Sequence, residues 1–484
     1  MFVHRRKAKI VYQRSKINYQ RFLRRAIIFC RKLNLSSDIK MIPNSENIPI
    51  IEGKLSLRTR MAYALGHIFN DLAAAMWFSY TLIYLQRIVL LEPLIAGALL
   101  LLGQLVDALM TPVFGVLVDR YAKKKVWHII GSIFVTLSFP IIFGSFFDEL
   151  NGISMAIYVI SIIIFQTGWA AVQISHLSMI PMLTNLPLAR ADLTAIRYSA
   201  QVTAAVFVFV VTWIILPANE NAVVRLTQQD SYRFRNIALI VTTFGITATI
   251  FFHAFLKGHL LENNNSLIEK KLNKEPSTSN ANNNENNSTL PISITLLLRV
   301  ALLYVASRLF ITLATVYLPL YIEETDVGGK QALATVPLTS YLASLVAALS
   351  LKYINKSFGT KICYLLGALI GAAAAGLTEF AGTHESVVYI VAILIGAASS
   401  ITMVTALSVT AEFIGLRTQN SALVYSMVTF LDKVVTGLVV VFIEKWRCVD
   451  DALCPTYNRD SLAIVCAASM GLGLITLLTI RHHN

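Results

Sequence analysis

The stretch Leu261–Leu290, LENNNSLIEKKLNKEPSTSNANNNENNSTL, divides a chain that is otherwise strongly apolar. Runs such as Asn282-Asn283-Asn284-Glu285-Asn286-Asn287 carry too little hydrophobic surface to bury a core, so the stretch reads as a polar linker. On both sides of it the composition reverses. The 484 residues are 56% hydrophobic and only 14% charged, with a mean hydropathy of +0.63, whereas soluble domains carry about 25% charged residues. That balance excludes a soluble enzyme and a disordered protein, and five Cys are too few for a disulfide scaffold.

A helix needs about 20 mostly apolar residues to cross the hydrocarbon core. Six such stretches precede the linker, near 61–85, 94–118, 126–147, 153–179, 194–216 and 235–256. Six follow it, near 292–322, 331–352, 361–380, 387–411, 420–443 and 459–481. The expectation is an all-α membrane protein with twelve transmembrane helices in two six-helix halves, the outline of a secondary transporter. Residues 1–60 form an N-terminal arm, 61–256 the first half, 257–291 the linker and 292–484 the second half.

The arm holds fifteen Lys/Arg and three Asp/Glu, so +12 of the net charge of +14 lies there. A basic arm joined to a membrane body follows from topology and argues against a nucleic-acid partner. Arg120, Lys123, Lys124 and Lys125 fill one short loop, and Lys352, Lys356 and Lys361 surround another on the same side. The opposite loops are acidic, with Asp148 and Glu149, Glu323, Glu324 and Asp326, and Asp450 and Asp451. By the positive-inside rule, both termini and the linker face the cytosol. The sequons at Asn34, Asn264, Asn286, Asn287 and Asn355 then escape glycosylation. Cys448 and Cys454 lie on the other side, where they are either a small-loop disulfide or unpaired; Cys30, Cys363 and Cys466 read as inert thiols. For the arm itself, a cytosolic tail on anionic lipid and a mitochondrial transit peptide both fit Met1–Leu35, the tail more simply. Glu46-Asn47-Ile48-Pro49-Ile50-Ile51 is a weak match to an acidic dileucine sorting signal.

Ionisable groups at bilayer depth cost about 2.5–3.5 kcal/mol each and mark function. Asp71 and Asp107 lie midway along the first two spans, Arg308 midway along the seventh, and Asp432 and Lys433 midway along the eleventh; Arg197 opens the fifth. Both signs in both halves point to a transport pathway around a central aqueous cavity rather than to charges that only fix helix packing. Asp432 is the weakest member, since beside Lys433 on one helix it points about 100° away. Near the end of the second span, Gly115 offers a close helix approach, and Asp119 with Arg120 offers a charge latch. His67-Ile-Phe-Asn-Asp71 has three residues between His and Asp, one too few for a membrane acyltransferase, and His176 fits helix packing as well as proton sensing. The sequence offers no metal-ligand cluster, phosphate loop or nucleophile elbow, so it reads as no enzyme, without cofactor, driven by a proton or cation gradient.

The run Gly115-Val-Leu-Val-Asp119-Arg120-Tyr-Ala-Lys123-Lys124-Lys125 resembles the signature of the major facilitator superfamily. Tyr63-x-x-Gly66-x-x-x-Asn70-Asp71, with Gln104-x-x-Asp107-x-x-x-x-Pro112, resembles its glycoside–pentoside–hexuronide:cation symporter branch. Within that branch, Gly66–Leu72, Met76-Trp77-Phe78, Phe165–Ala170, Gln173–Ser178, Leu193–Tyr198 and Ser307-Arg308-Leu309 are similar to animal members that import cysteine into lysosomes and melanosomes. The resemblance implies that Asp71 and Asp107 match cation-site carboxylates, that Arg197 lies near the substrate pocket, and that Lys433 lies near the cation site. Thr111 stands where the branch has a further carboxylate, against sodium coupling. Gln173 stands where a sugar-binding aspartate would be, against a sugar, and agrees with the cysteine importers.

The resulting expectation is a functional monomer in the lipid bilayer that moves cysteine or a related zwitterion from cytosol into a lysosome-related organelle by alternating access. The plasma membrane is the alternative location. A zwitterion takes a cation for its carboxylate, Arg308 or Lys433, and an anion for its ammonium, Asp71 or Asp107. If protons drive transport, a buried aspartate such as Asp107 carries them. A cation-coupled sugar or organic-ion symporter is the same-fold alternative, and a transport-inactive receptor or scaffold the one of different class.

Overall fold

The computed structural model describes residues 56–480, save 122–123, 147–150, 185–186, 218–224, 257–293, 326–327, 381–383, 415–420 and 448–453. Readings of the arm, the linker, Cys30 and Cys448 therefore lie outside the described residues. The described chain is helical throughout. A short helix α1 (Leu57–Leu65) leads into α2 (Ile68–Arg87), followed by α3 (Pro93–Tyr121), α4 (Lys124–Phe143), α5 (Gly152–Leu177), α6 (Pro187–Ile215) and α7 (Ser231–Phe255). After the linker come α8 (Ile294–Thr325), α9 (Ala332–Phe358), α10 (Thr360–Phe380), α11 (Glu385–Ile414), α12 (Ser421–Lys445) and α13 (Tyr457–Thr479). The twelve long helices α2–α13 are the twelve expected. Ten of them are long and apolar enough to span a bilayer on length and composition; the other two are α2, with Asp71 in its first turn and Arg87 in its last, and α12, with Asp432 and Lys433 near its middle.

One element departs from the sequence reading. The stretch 61–85 is not a single helix but breaks at Gly66-His67 between α1 and α2. A Cβ at Gly66 would lie 2.7 Å from the Phe252 ring and 2.8 Å from His176, so only glycine lets α5 and α7 approach there. A break inside a membrane leaves backbone carbonyls without helical partners, and these need other donors. His128 Nε2 reaches the Gly66 carbonyl at 2.6 Å, and His176 Nε2 reaches the Tyr63 carbonyl at 2.8 Å beside the 3.1 Å cap bond from Gly66 N–H. The fifth span also starts earlier than expected, at Pro187, a residue whose fixed φ and missing N–H suit a first helical turn.

Apolar side chains point both ways, as a membrane requires. Leu137, Ile214, Leu349 and Leu478 are exposed toward lipid, while Trp77, Tyr80, Phe139, Phe165 and Phe234 pack inside the first half. Gly131 of α4 and Gly168 of α5 let those helices cross closely, a Cβ on either lying 2.7 Å from the other's carbonyl oxygen. Among those ten, α8 is the most enclosed, with 72% of its most apolar stretch buried, against 28% for α9.

Candidate functional site

The mid-membrane charges sort into three groups, each decided by helix geometry. Asp432 and Lys433 are adjacent on α12 and diverge by about 100°. Asp432 therefore turns to Arg308 on α8, whose Nε donates to Oδ2 at 3.2 Å, while Lys433 reaches across to Asp107 on α3. Asp432, the weakest candidate in the sequence, is thus a full member of the network. Thr436 supports it from one turn further along, at 3.4 Å. Thr111 Oγ1 donates to Asp107 Oδ1 at 3.2 Å and to its carbonyl at 2.8 Å, so it serves Asp107 as a donor where the related branch has a second carboxylate.

The third group lies at the break between α1 and α2. His67 Nδ1 is 2.8 Å from Asp71 Oδ1, both side chains being 4% exposed. Arg197 of α6 places Nη2 3.0 Å from His67 Nε2. Arg197 thus meets Asp71 only through His67, a link the sequence did not reveal although His67 stands four residues before Asp71 and shares its helix face. Around them, the rings of Tyr63 and His176 stack at 4.2 Å, and His128 Nδ1 lies 3.1 Å from His253 Nε2. Three carboxylates and three cations therefore balance at the centre of the bundle.

Their remaining bonding capacity is unequal. Asp107 and Lys433 engage each other. Arg308 commits Nε to Asp432 and stays 31% exposed. Asp71 Oδ2 is buried and has no hydrogen-bond partner. Tyr341 of α9, from the second half, lies within electrostatic range of Asp71, Arg308 and Tyr198. No sequence signal singled it out. Gln173 Oε1 accepts from Trp169 Nε1 at 3.0 Å, which leaves its amide NH2 as the group to present to a ligand.

Between mid-membrane and the end of the bundle opposite Lys124 and Lys125, polar contacts join the halves. Arg87 Nε donates to Glu323 at 2.6 Å, and Gln86 to Glu444 at 2.7 Å. Lys330 pairs with Asp230 at 2.5 Å, and the Tyr80 hydroxyl donates to the Leu333 carbonyl at 3.0 Å. Helices α3 and α12 also pack tightly here: a Cβ at Gly437 would lie 2.5 Å from a Leu101 methyl. Glu323, expected only to mark a side of the membrane, instead pairs across the halves, as does Asp230, which the sequence reading did not name. Disulfide-bonded Cys454 lines a pocket of about 250 Å³ at this end with Arg87, Arg225 and Arg447. At the basic end, Lys124 and Lys125 donate to carbonyls of their own half, those of Ser178, His253 and Leu256. The close approach expected at Gly115 is not made in this state: a Cβ there meets nothing within 4 Å, because the tight α3–α12 packing lies further along, at Gly97 and Leu101. Arg120 is exposed over the Tyr121 ring, and the Asp119 side chain lies outside the described residues.

Two sets of six long helices, joined at one end by polar contacts and holding opposite charges at their centre, fit a secondary transporter. Comparison with known proteins agrees. A family profile described as MFS/sugar transport protein matches residues 62–443, and the chain belongs to that family of the major facilitator superfamily. It is 34% identical over 428 residues to the human major facilitator superfamily domain-containing protein 12, covering 83% of this chain and 87% of that one. The mouse protein of the same name is 32% identical, with 88% and 93% covered. A solved D-xylose-proton symporter superposes with a TM-score of 0.64 at 13% identity, over 87% of this chain and 95% of that one, a likeness of fold.

Proposed function

We propose that the protein carries cysteine, or a close zwitterionic relative, from the cytosol into lysosomes or related organelles by alternating access. One observation carries the substrate reading. Arg308 and Asp71 are central opposite charges on different halves with bonding capacity to spare, and Tyr341 lies within electrostatic range of both. A zwitterion bridging them would have its carboxylate on the Arg308 guanidinium and its ammonium on Asp71 Oδ2, by charge-assisted hydrogen bonds. Lys433 and Asp107 suit this role less, since each satisfies the other. With the basic end in the cytosol, as the loop charges argue, the present state is shut toward the lumen. The animal cysteine importers that the sequence resembles support the same substrate and organelle.

The test is labelled cysteine and cystine accumulation in purified lysosomes with and without the protein. A fall in lumenal cystine on its loss, restored by wild type and not by Arg308→Ala, is the expected result. Unchanged accumulation with normal lysosomal localisation removes cysteine as substrate. The sugar-transport description of the family profile favours a second reading, a cation-coupled sugar symporter. A competition panel of sugars against cysteine separates the two.

A further inference from the structure

We propose that the cavity at the end of the bundle opposite Lys124 and Lys125 is a second ligand site, one that takes a small amino acid with two carboxylates and bridges the two halves. The inference goes beyond the transport reading above and does not rest on it. The cavity measures about 250 Å³, just under the roughly 300–1,000 Å³ of sites for drug-sized ligands, so its size suits a small metabolite. Arg225 and Pro455 on its lining are exposed, which opens it to the compartment on that side.

Its chemistry is set by guanidinium groups from both halves. Arg87 at the end of α2 and Arg225 between α6 and α7 belong to the first half, and Arg447, just after α12, belongs to the second. Two carboxylates share the lining, but each of their oxygens already receives a donor. Glu323 takes Arg87 Nε at 2.6 Å and the Leu226 N–H at 2.8 Å. Glu324 takes the N–H groups of Asn458 and Arg459, at the start of α13, at 2.7 and 3.2 Å. Glu444, behind Arg447, accepts from Gln86 and the Tyr317 hydroxyl at 2.7 and 2.8 Å, and its contact with Arg447 is longer, at 3.3 Å. Three guanidiniums bring about fifteen N–H donors, far more than the carboxylate oxygens around them, so the complement of this lining is an acceptor. A guanidinium pairs best with a planar oxyanion such as a carboxylate. Two carboxylates on one ligand meet both halves at once.

The lining also carries an unmet acceptor. Asn458 is 5% exposed, and its Oδ1 is buried without a hydrogen-bond partner. Its amide NH2 faces the Glu324 carboxylate, which fixes the orientation of the amide, because the flipped form would set oxygen against oxygen. An ammonium supplies the missing donor and brings no acceptor of its own. Carboxylates for the arginines and an ammonium for Asn458 are together the groups of an amino acid; inorganic phosphate or a plain dicarboxylate offers only the anion. A ligand held by Arg225 and Asn458 touches both halves, so its binding favours the state in which this end is closed.

The experiment uses the full chain in nanodiscs, which leave both faces open, with labelled glutamate and labelled cystine as separate probes. Either should bind saturably, and the tighter of the two identifies the source of the ligand. Unlabelled alanine has one carboxylate, succinate has no ammonium and inorganic phosphate has neither group, so each should compete about tenfold more weakly or worse. Arg225→Ala, at an exposed position of one half, and Asn458→Ala, in the other, should each weaken binding by about tenfold or more, with circular dichroism as in wild type. Arg308→Lys, which alters the central site alone, should bind both probes as wild type does. Absence of saturable binding, or wild-type affinity in folded Arg225→Ala, overturns the proposal. Succinate or phosphate competing as well as glutamate reduces the cavity to an unselective anion site and overturns the amino-acid assignment. Binding lost in Arg308→Lys but kept in Arg225→Ala places the ligand at the centre and also overturns it. A failure of cysteine transport in lysosomes leaves all these outcomes unchanged, so the two readings fall separately.

Discussion

Lys433 on α12 is ion-paired with Asp107 on α3, so one contact at mid-membrane ties the second half of the molecule to the first. Its neighbour Asp432 faces the other way, to Arg308 within the second half. Two consecutive residues thereby couple the bond between halves to the group best placed to meet a substrate carboxylate.

Removing one partner of such a pair strands the other, which costs about 3–5 kcal/mol, whereas removing both costs far less. Lys433→Ala should therefore lower the unfolding midpoint in detergent clearly, and Lys433→Ala with Asp107→Asn should recover most of the loss. A double-mutant cycle on thermal or denaturant unfolding checks this, and simple additivity would refute the pairing.

Arg308 can hold Asp432 through Nε and still offer two terminal nitrogens in a planar fork, a geometry that a lysine ammonium does not reproduce. Arg308→Lys should keep the fold and reduce cysteine uptake by roughly ten- to a hundredfold, the loss of one charge-assisted hydrogen bond of about 1.5–3 kcal/mol. Uptake normalised to surface-purified protein measures it. Wild-type rates in Arg308→Lys would remove Arg308 from the pathway.

The lock between Arg87 and Glu323 holds α2 against α8 at the end opposite Lys124 and Lys125. Glu323→Gln keeps a polar group but no charge, and it should move the population toward a state open at that end. Spin labels at Leu90 and Trp446, both exposed and on different halves, report the shift as a longer distance component. A distance distribution identical to wild type would show that Arg87–Glu323 is not part of the gate.

At Gly437 an added side chain meets Leu101 of the other half, 2.5 Å from its methyl and 3.2 Å from its Cα. Gly437→Val should cost about 1–3 kcal/mol through overpacking, and only in states with this end closed. The same label pair should then read more of the open form, while total helix content by circular dichroism stays as in wild type.

His128 and His176 satisfy carbonyls exposed by the α1–α2 break. His128→Phe should cost about 1–3 kcal/mol, the price of an unsatisfied buried carbonyl. Thermal unfolding in nanodiscs checks this, with His253→Phe, whose ring supports His128 from behind, expected to cost less.

Much of this architecture is local and therefore legible along the chain. Burying backbone in lipid leaves the helix as the way to satisfy every N–H and C=O, so apolar length alone located the twelve spans. The polar run Leu261–Leu290 split them into two halves, and the cost of charge at bilayer depth picked out Asp71, Asp107, Arg197, Arg308, Asp432 and Lys433. Which charge meets which is a matter of helix rotation and neighbour choice, set by contacts between residues far apart in sequence. Only the tertiary structure placed His67 between Asp71 and Arg197, turned Asp432 to Arg308 and Lys433 to Asp107, and brought Tyr341 within electrostatic range of Asp71 and Arg308. The break at Gly66 was hidden for the same reason: the donors that make it tolerable, His128 and His176, come from other helices. The ion pairs between the halves were hidden too, because Glu323 and Asp230 look like loop acids until Arg87 and Lys330 arrive from the opposite half.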